Sequence, residues 1–392
     1  MTYKTIDLFA GIGGIRKGFE LVGSFENVLS AEIDKYAQIT YKKLFNEPDD
    51  HIFYDVTSPE YLTKIRELEE FDVLLGGFPC QAFSIAGKKE GFKDKIRGTL
   101  FFNIVETIEA KRPKAFLLEN VEGLLRHKKG QTFQTIIETL TFALNYKIIG
   151  VSINDNGEPS FNPKDFLLNS KHFGVPQNRP RVYIMGFDNE RYGAFYDSLP
   201  VTELPKTNNS IQTTLSEILE PSVTEEYYLA SGYFDTLQKH RDRHKGKGNG
   251  YGYIIINDGT GPHVSNALLA TGGSGKERNL IRQHNPEHSG KIVKGKKSAI
   301  NTDGIRMMTE WEWGKLQGFI GDDTFTKEDF PPTMSRAQLY KQFGNSVTIP
   351  VIKELAKTLK ENLNYLESEY QKALQIPPNI SEQQVAAAYT NN

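Results

Sequence analysis

Thr5-Ile6-Asp7-Leu8-Phe9-Ala10-Gly11-Ile12-Gly13-Gly14 opens the chain with an apolar run that ends in a glycine-dense turn. A strand from Tyr3 to Phe9 that breaks at glycines and passes into a helix through Phe19 is the opening unit of a nucleotide-binding α/β domain. Glycines let the backbone approach a ligand, and an acidic residue ending the second strand can hold ribose hydroxyls. Glu32, nineteen positions after Gly13, fills that place. The full Gly-x-Gly-x-x-Gly spacing is absent, because position 16 is Arg. On its own the stretch fits a nicotinamide enzyme, another Rossmann-type binder or a tight structural turn.

The alternation continues to about residue 187. Strands are expected over 28–33, 71–75, 115–119 and 181–186, and helices over 36–45, 60–68, 101–111 and 133–144. Apolar strands alternating with amphipathic helices imply a parallel sheet covered on both faces, a doubly wound, Rossmann-like α/β domain. From about 189 to 305 the chain turns rich in Gly, Asn, Ser, Thr, Lys and His, with short strand-like pieces such as 253–256 and no sustained helical periodicity. That segment reads as a smaller, loop-rich second domain. Thr309 and Glu312 have capping-box spacing and open a helix towards Phe319. A last amphipathic helix spans Pro350 to about Leu366, and a polar tail follows. The expected division is residues 1–188 with 325–366, then 189–324, then the tail 367–392.

Bulk composition narrows the class. Of 392 residues, 38% are hydrophobic and 24% charged, values of a globular protein, and a length suited to two domains. No run approaches the roughly 18 apolar residues of a membrane span, and the start leaves no room for a signal peptide. A single cysteine excludes an internal disulfide and a cysteine-based metal cluster, so a cytoplasmic protein is expected. The net charge of -2 does not point to nucleic acid. Local charge does: Lys239 to Lys247 holds five basic side chains against Asp242, and Lys276 to Lys297 holds seven against Glu277 and Glu287. His240 and His244 share a helical face if that piece is helical, but without a third ligand no metal site is expected.

The lone Cys80 follows Gly76-Gly77-Phe78-Pro79, just beyond an apolar run. A structural cysteine belongs within such a run, whereas this one comes after a Pro where the chain turns outward, the place of a candidate nucleophile. Three ordered segments accompany it: Glu119-Asn120-Val121-Glu122-Gly123-Leu124, Gln177-Asn178-Arg179-Pro180-Arg181 and Tyr340-Lys341-Gln342-Phe343-Gly344-Asn345-Ser346-Val347. With the glycine turn first and Cys80-Gln81-Ala82-Phe83-Ser84 second, this series resembles the C5-cytosine DNA methyltransferases of bacterial restriction-modification systems. The resemblance covers residues 3–188 and 303–360.

It implies a thiolate from Cys80 that adds to C6 of cytosine, so that C5 can take the methyl group of S-adenosylmethionine. Glu119 would contact the N3/N4 edge of the base, Asn120 would fix the local loop, and Arg181 would reach O2 with Gln177 and Arg179 ordering the site. For the cofactor it implies Phe9 at the adenine, Ala10, Gly11, Ile12, Gly13 and Gly14 along the amino-acid part, and Glu32 at the ribose. Ile33, Asp55 and Val56 would lie by the adenine, and Pro79, Leu100, Asn345, Ser346 and Val347 would complete the pocket. No metal is implied. Taken singly, the arginines could be surface ion pairs and Glu119 a helix entry.

A cytosine in duplex DNA must be flipped out before a thiol reaches it. The loop 81–99, with Ser84, Lys88, Lys89, Lys93, Lys95 and Arg97, suits a basic flap that closes over DNA. Within 189–305, Gly272 to Asn279 is the expected reader of base edges through Lys276, Arg278 and Asn279. The expected partner is double-stranded DNA, bound by a monomer, with a possible cognate endonuclease acting on the same site. A tRNA cytosine methyltransferase and a catalytically silent DNA-binding regulator are the rival readings.

Overall fold

A computed structural model describes residues 1–79, 99–206, 213–246, 252–259, 263–270 and 276–375, Lys276 by its backbone alone. The first strand, β1 (Tyr3–Leu8), sits mid-sheet and enters α1 (Gly14–Glu20) through the glycine turn. Then come β2 (Phe25–Ala31), α2 (Lys35–Phe45), β3 (Ile52–Phe53), α3 (Pro59–Glu67), β4 (Val73–Gly77), α4 (Leu100–Lys111) and β5 (Ala115–Val121). Helix α5 (Gln131–Glu138) leads to β6 (Tyr146–Ile148), a small hairpin of β7 (Ser152–Ile153) with β8 (Pro159–Ser160), β9 (Leu167–Asn169), β10 (Gln177–Asn178) and β11 (Pro180–Asp188). The large sheet has the order β3-β2-β1-β4-β5-β11-β6, with β9 also on β11.

The sheet is mixed, not wholly parallel as expected. Strand β11 runs antiparallel to β5, β6 and β9. Apolar content cannot distinguish the two cases, because β11 is buried on both faces like its parallel neighbours. Side-chain alternation splits those faces. Leu74, Phe116 and Leu118 pack with Ile65 of α3, Ile104 and Ile108 of α4 and Phe133 and Ile136 of α5. Val73, Leu75 and Leu117 pack on the other side with Ile15 and Phe19 of α1 and with Val351, Ile352 and Leu355 from the end of the chain.

Those last residues belong to a helix of 26 residues, Ile349–Leu374, eight longer than expected at its C-terminal end. Glu367 explains the extension: its carboxylate is buried and takes Lys114, Arg191 and the Tyr192 hydroxyl, so a charged residue is an interior residue here. A Cβ on Gly18 would lie 2.5 Å from Ile352 Cγ2, so this glycine lets α1 and the final helix cross closely. Helix α5 also differs from expectation. It ends at Glu138, and Thr139–Ala143 widens into a turn closed by Leu144 N–H to Thr139 O at 3.0 Å.

The middle of the chain holds more helix than its composition suggests. Helix α6 (Ser231–Lys245) spans 15 residues, yet only Phe234 is buried, so it shows no apolar stripe. Two-residue strands β12 (Ile254–Ile255) and β13 (Ser265–Asn266) precede β14 (Asn279–Arg282) and β15 (Ile305–Met307). Strands β12, β14 and β15 form a small sheet, and β13 pairs with β10. Helix α7 (Glu310–Leu316) opens on the expected capping box of Thr309 with Glu312; α8 (Arg336–Asn345) and the 26-residue α9 close the described chain.

Arg306 on β15 and Glu312 on α7 are both fully buried and form a double hydrogen bond at 2.7 and 2.9 Å. Glu312 also accepts from the N–H groups of Thr309 and Glu220, and Arg306 donates to Gln283. All four acceptor positions of Glu312 are therefore used, as are four of the five N–H groups of Arg306, one of them on Met307 O at 2.9 Å. Replacing Glu312 by Gln strands the guanidinium and should cost about 3 kcal/mol in urea unfolding. Replacing both, Arg306→Met with Glu312→Leu, should recover most of that loss.

Candidate active site

Strands β1, β4 and β5 all deliver their carboxyl ends to one edge of the sheet, where ligands of open α/β sheets bind. Gly77 on β4 lies in register with Glu119 on β5, and a Cβ at Gly77 would stand 3.4 Å from Glu119 Oε2. Phe78 is buried, and its carbonyl accepts from Asn120 Nδ2 at 2.8 Å, while Asn120 Oδ1 accepts from Val121 N–H at 2.8 Å. Asn120 thus ties the exit of β4 to the end of β5, two residues before Cys80. Cys80 itself, with Ser84, Lys88, Lys89 and Arg97, lies outside the described residues.

Tyr183 stands opposite Glu119 and Arg181 opposite Val121 across the antiparallel pair. Arg181 Nε approaches Glu119 Oε1 to 3.2 Å, and both side chains are mostly buried. Burial raises the Glu119 carboxyl above the usual carboxylate range, against the pull of Arg181 and then Arg179. A carboxyl raised in this way takes up a proton more readily than an exposed one.

Arg179 and Gln177 do not share that opening. Arg179 is buried and donates to Leu268 O at 2.9 Å, Gly344 O at 2.9 Å and Ser346 O at 2.5 Å. Burial, with Arg181 next, pulls its pKa down to about 9. Gln177 donates to Leu316 O and Gln317 Oε1 and accepts from Leu268 N–H. Both are struts that join the sheet to the segments around 268, 316 and 344.

The glycine turn divides its labour. Gly11 has φ +57° and no atom within 4 Å of an added Cβ, so it borders open space. Gly13, with φ +80°, would drive a Cβ to 2.2 Å from Phe45, and Gly14 to 2.7 Å from Ser346 Oγ and 2.8 Å from Val347 Cγ2. These two glycines serve packing against α2 and the end of α8. Phe9 adopts φ +58°, a strained value for a bulky residue at a ligand-facing turn. Ala10 and Ile12 are buried. Arg16, standing where a third glycine would be, is instead bound to Glu20, Tyr41 and Glu47.

Glu32 follows β2 and accepts from Gly11 N–H at 2.8 Å and Asp34 N–H at 2.7 Å. Ile33 beside it is 71% exposed, apolar surface left uncovered at the same edge. Asp55 accepts from Thr57 N–H and Oγ1, making a local turn, while Val56 is buried and its carbonyl takes Asn103 Nδ2 at 3.0 Å. Pro79 and Asn345 are exposed, Leu100 begins α4, Ser346 is half-buried and Val347 buried. Of the expected base readers, Arg278 is half-buried. Asn279 is interior, its amide spent on both backbone groups of Asn266 at 2.8 and 3.0 Å.

Sequence reasoning passed over Asp34 and Lys341. Asp34 caps α2 by accepting from Tyr36 and Ala37 N–H, and Lys341 on α8 reaches it at 2.5 Å. Gln342 adds bonds to Tyr36 O and Thr40 Oγ1. Lys341 sits within the quoted segment 340–347, but only the tertiary contact reveals its target.

A family model for C-5 cytosine-specific DNA methylases matches residues 3–361. The chain belongs to the C5-cytosine DNA methyltransferases. It is 42% identical over 366 residues to the type II methyltransferase M.HpaII of Haemophilus parainfluenzae, covering 93% of this chain and 91% of that one. It is 38% identical to M1.ScrFI of Lactococcus lactis subsp. cremoris, over 92% of this chain and 79% of that one. A DNMT2 of Spodoptera frugiperda shares the fold, with TM-score 0.62 at 20% identity, over 92% of this chain and 100% of that one. The methyltransferase EhMeth of Entamoeba histolytica does so at 0.64 and 19%, over 93% and 99%. This enzyme methylates cytosine at C5 in DNA.

Two expectations follow for this methyltransferase. Lys341→Met should raise KM for the methyl donor up to about fivefold, the scale of a half-exposed ion pair, with kcat little changed and Lys341→Arg restoring it. Asp7, beneath the glycine turn, is fully buried, and neither oxygen has a hydrogen bond of good geometry among the described residues. Burial pushes its carboxyl up to about 7, against the nearby N–H and guanidinium of Arg16. The native state then holds a proton that the unfolded chain has released, so stability should fall by roughly 3 kcal/mol between about pH 5 and pH 8. Asp7→Asn should lack that fall in urea titrations at the two pH values.

Proposed function

We propose that this enzyme transfers a methyl group from S-adenosylmethionine to a cytosine flipped out of a short specific duplex site, with Cys80 as nucleophile, and protects host DNA in a restriction-modification system. The observation that carries the reading is the Glu119–Arg181 pair, held at the carboxyl edge of the sheet beside the strand exit that leads to Cys80. The type II names of the relatives support the biological setting.

C5 of cytosine is a weak nucleophile until the 5,6 double bond is broken by addition. Cys80 sulfur forms a bond to C6, and the displaced electron density runs towards N3, which takes a proton from Glu119. Arg181 has two positions in this scheme. Paired to Glu119 it opposes protonation; drawn to the O2 of an arriving base it leaves the buried carboxyl uncompensated, and the carboxyl binds a proton. Base entry thereby charges the acid that the reaction needs. Asn120 ties the exit of β4, from which the chain leads on to Cys80, to the strand that carries that acid, through the Phe78 carbonyl. C5, made nucleophilic by the addition, would take the methyl carbon as that carbon's bond to the donor sulfur breaks and a neutral thioether departs. Water would then remove the C5 proton, Cys80 would leave as thiolate, and N3 would return its proton to Glu119, which restores the aromatic ring.

S-adenosylmethionine, when bound, supplies an electrophilic methyl carbon. The residues present fit its adenosyl and amino-acid parts: open space over Gly11, a carboxylate at Glu32 oriented by two backbone N–H groups, and exposed apolar surface at Ile33. Phe9, Asp55, Val56, Pro79, Leu100 and Asn345 to Val347 would frame the same pocket. In solution we expect a monomer acting in the cytoplasm.

Bisulfite sequencing of unmethylated DNA after incubation with the enzyme and S-adenosylmethionine should show one protected cytosine in one recurring word. Transfer to tRNA with none to duplex DNA would overturn the reading. Cys80→Ala should abolish transfer, a loss of at least about a thousandfold, while S-adenosylmethionine still binds in calorimetry. Turnover by that variant would sink the covalent route.

A further inference from the structure

The connection that leaves β5 after Val121 carries Arg126, His127, Lys128 and Lys129, and strand registers fix where it lies. Val121, at the carboxyl end of β5, stands opposite Arg181, and Ala115, at its start, stands opposite Phe187. Strand β6 begins at Tyr146 opposite Asp188, beyond the start of β5. The chain must therefore travel from the Glu119 edge of the sheet to the far edge between Val121 and Tyr146. Helix α5 makes that journey, with Phe133, Ile136 and Ile137 packed on Phe116 and Leu118. Its N-terminus, at Gly130, is consequently at the Glu119 edge, and the turn 126–130 is the apex of the crossover.

The apex is basic and conformationally costly. Within residues 121–130 the sequence carries Arg126, Lys128 and Lys129 with one acidic residue, Glu122. Lys128 has φ +48°, Lys129 φ +57° and Gly130 φ +89°, three left-handed residues in a row of which only the last is suited to it. The His127 ring is anchored to Thr132 Oγ1 at 2.7 Å, which ties the turn to α5. Lys129 is exposed, and among the described residues no carboxylate pairs with it. The Arg126 pair with Glu122 is solvent-exposed, so Arg126 can exchange that partner for another anion at little cost. A strained backbone that persists while presenting cations at the reacting edge points to a use for those cations.

We propose that this apex is a phosphate-contacting site, in which Lys129 and Arg126 hold the sugar-phosphate backbone of the duplex beside the flipped cytosine. The inference rests on the DNA-methylating function above. Its chemistry is that of positioning, not of base reading: two point charges displace counterions from phosphates and orient the strand over Glu119. It adds a contact from the catalytic sheet to those expected from the loop 81–99 and the segment 276–279.

The test separates charge from backbone. Lys129→Gly removes the charge and relieves the left-handed strain; Lys129→Gln removes the charge alone; Lys129→Arg keeps it. Binding of a fluorescent duplex is measured across a salt series, with Tm recorded for each variant and methylation of the same duplex measured for the wild type. We expect Lys129→Gly, Lys129→Gln and Arg126→Gln each to weaken binding several-fold at low salt and to reduce the slope of log Kd against log salt by about 1. Lys129→Arg should match the wild type, and Lys129→Gly should melt no lower than it. Unchanged affinity and slope in a wild-type background that methylates the duplex would overturn the site while leaving the enzyme's function intact. A weaker Lys129→Gly with lowered Tm and an unaltered slope would overturn it too, by making the turn structural. A wild type that neither binds nor methylates duplex DNA would bring down the underlying reading instead.

Discussion

A buried guanidinium with no carboxylate paired to it among the described residues organises this molecule. Arg179 sits where strand β10 hands over to β11, and it donates to three backbone carbonyls, of Leu268, Gly344 and Ser346. Burying a cation costs several kcal/mol unless its donors are met. Carbonyl oxygens meet most of them here, and they come from segments far apart in the chain. The Nε group finds no partner among the described residues, and burial lowers the pKa, so the site keeps a residual penalty. That penalty makes the three segments interdependent: displacing any one exposes the charge to an unmatched interior.

The same junction builds the edge of the sheet that carries Glu32 and Glu119. Ser346, whose carbonyl meets Arg179, lies with Val347 against Gly14, where a side chain would collide with both. One turn earlier on the same helix, Lys341 grips Asp34, whose N–H orients Glu32. The end of the chain thus supports the glycine turn and the acidic residue after β2 together. Two residues downstream of Arg179, Arg181 faces Glu119. One short segment, 177–181, therefore supplies both the Arg179 strut and the Arg181 partner of Glu119, on alternate residues of an extended backbone.

Much of this was legible in the sequence. Apolar runs of strand length, broken at glycines and separated by amphipathic stretches, identified the α/β domain and, short β3 apart, its elements through β5 to within a few residues, because burial on two faces leaves a strong compositional trace. The ordered motifs brought Glu119, Asn120, Arg181 and Glu32 to one edge. Other features left no trace. Strand direction is invisible when both faces are apolar, so the antiparallel β11 was read as parallel. Helix α6 buries one side chain and lacks the periodicity by which helices are read. Glu367 looked like tail and is interior, because its partners Lys114 and Arg191 are distant in sequence.

By itself the sequence carried the signature by which the family is read: a lone thiol after Pro79, an acid and an arginine in fixed order, and a glycine turn at the head of the chain. Those are local properties, since reactivity and backbone permission belong to residue types. Only the tertiary structure decided which glycine faces open space, which arginine is a strut and which a partner of Glu119, and that a basic turn crowns the β5 crossover. These depend on packing and register between segments up to hundreds of residues apart. No local pattern encodes such distances; the burial of charge and the exclusion of side-chain volume impose them.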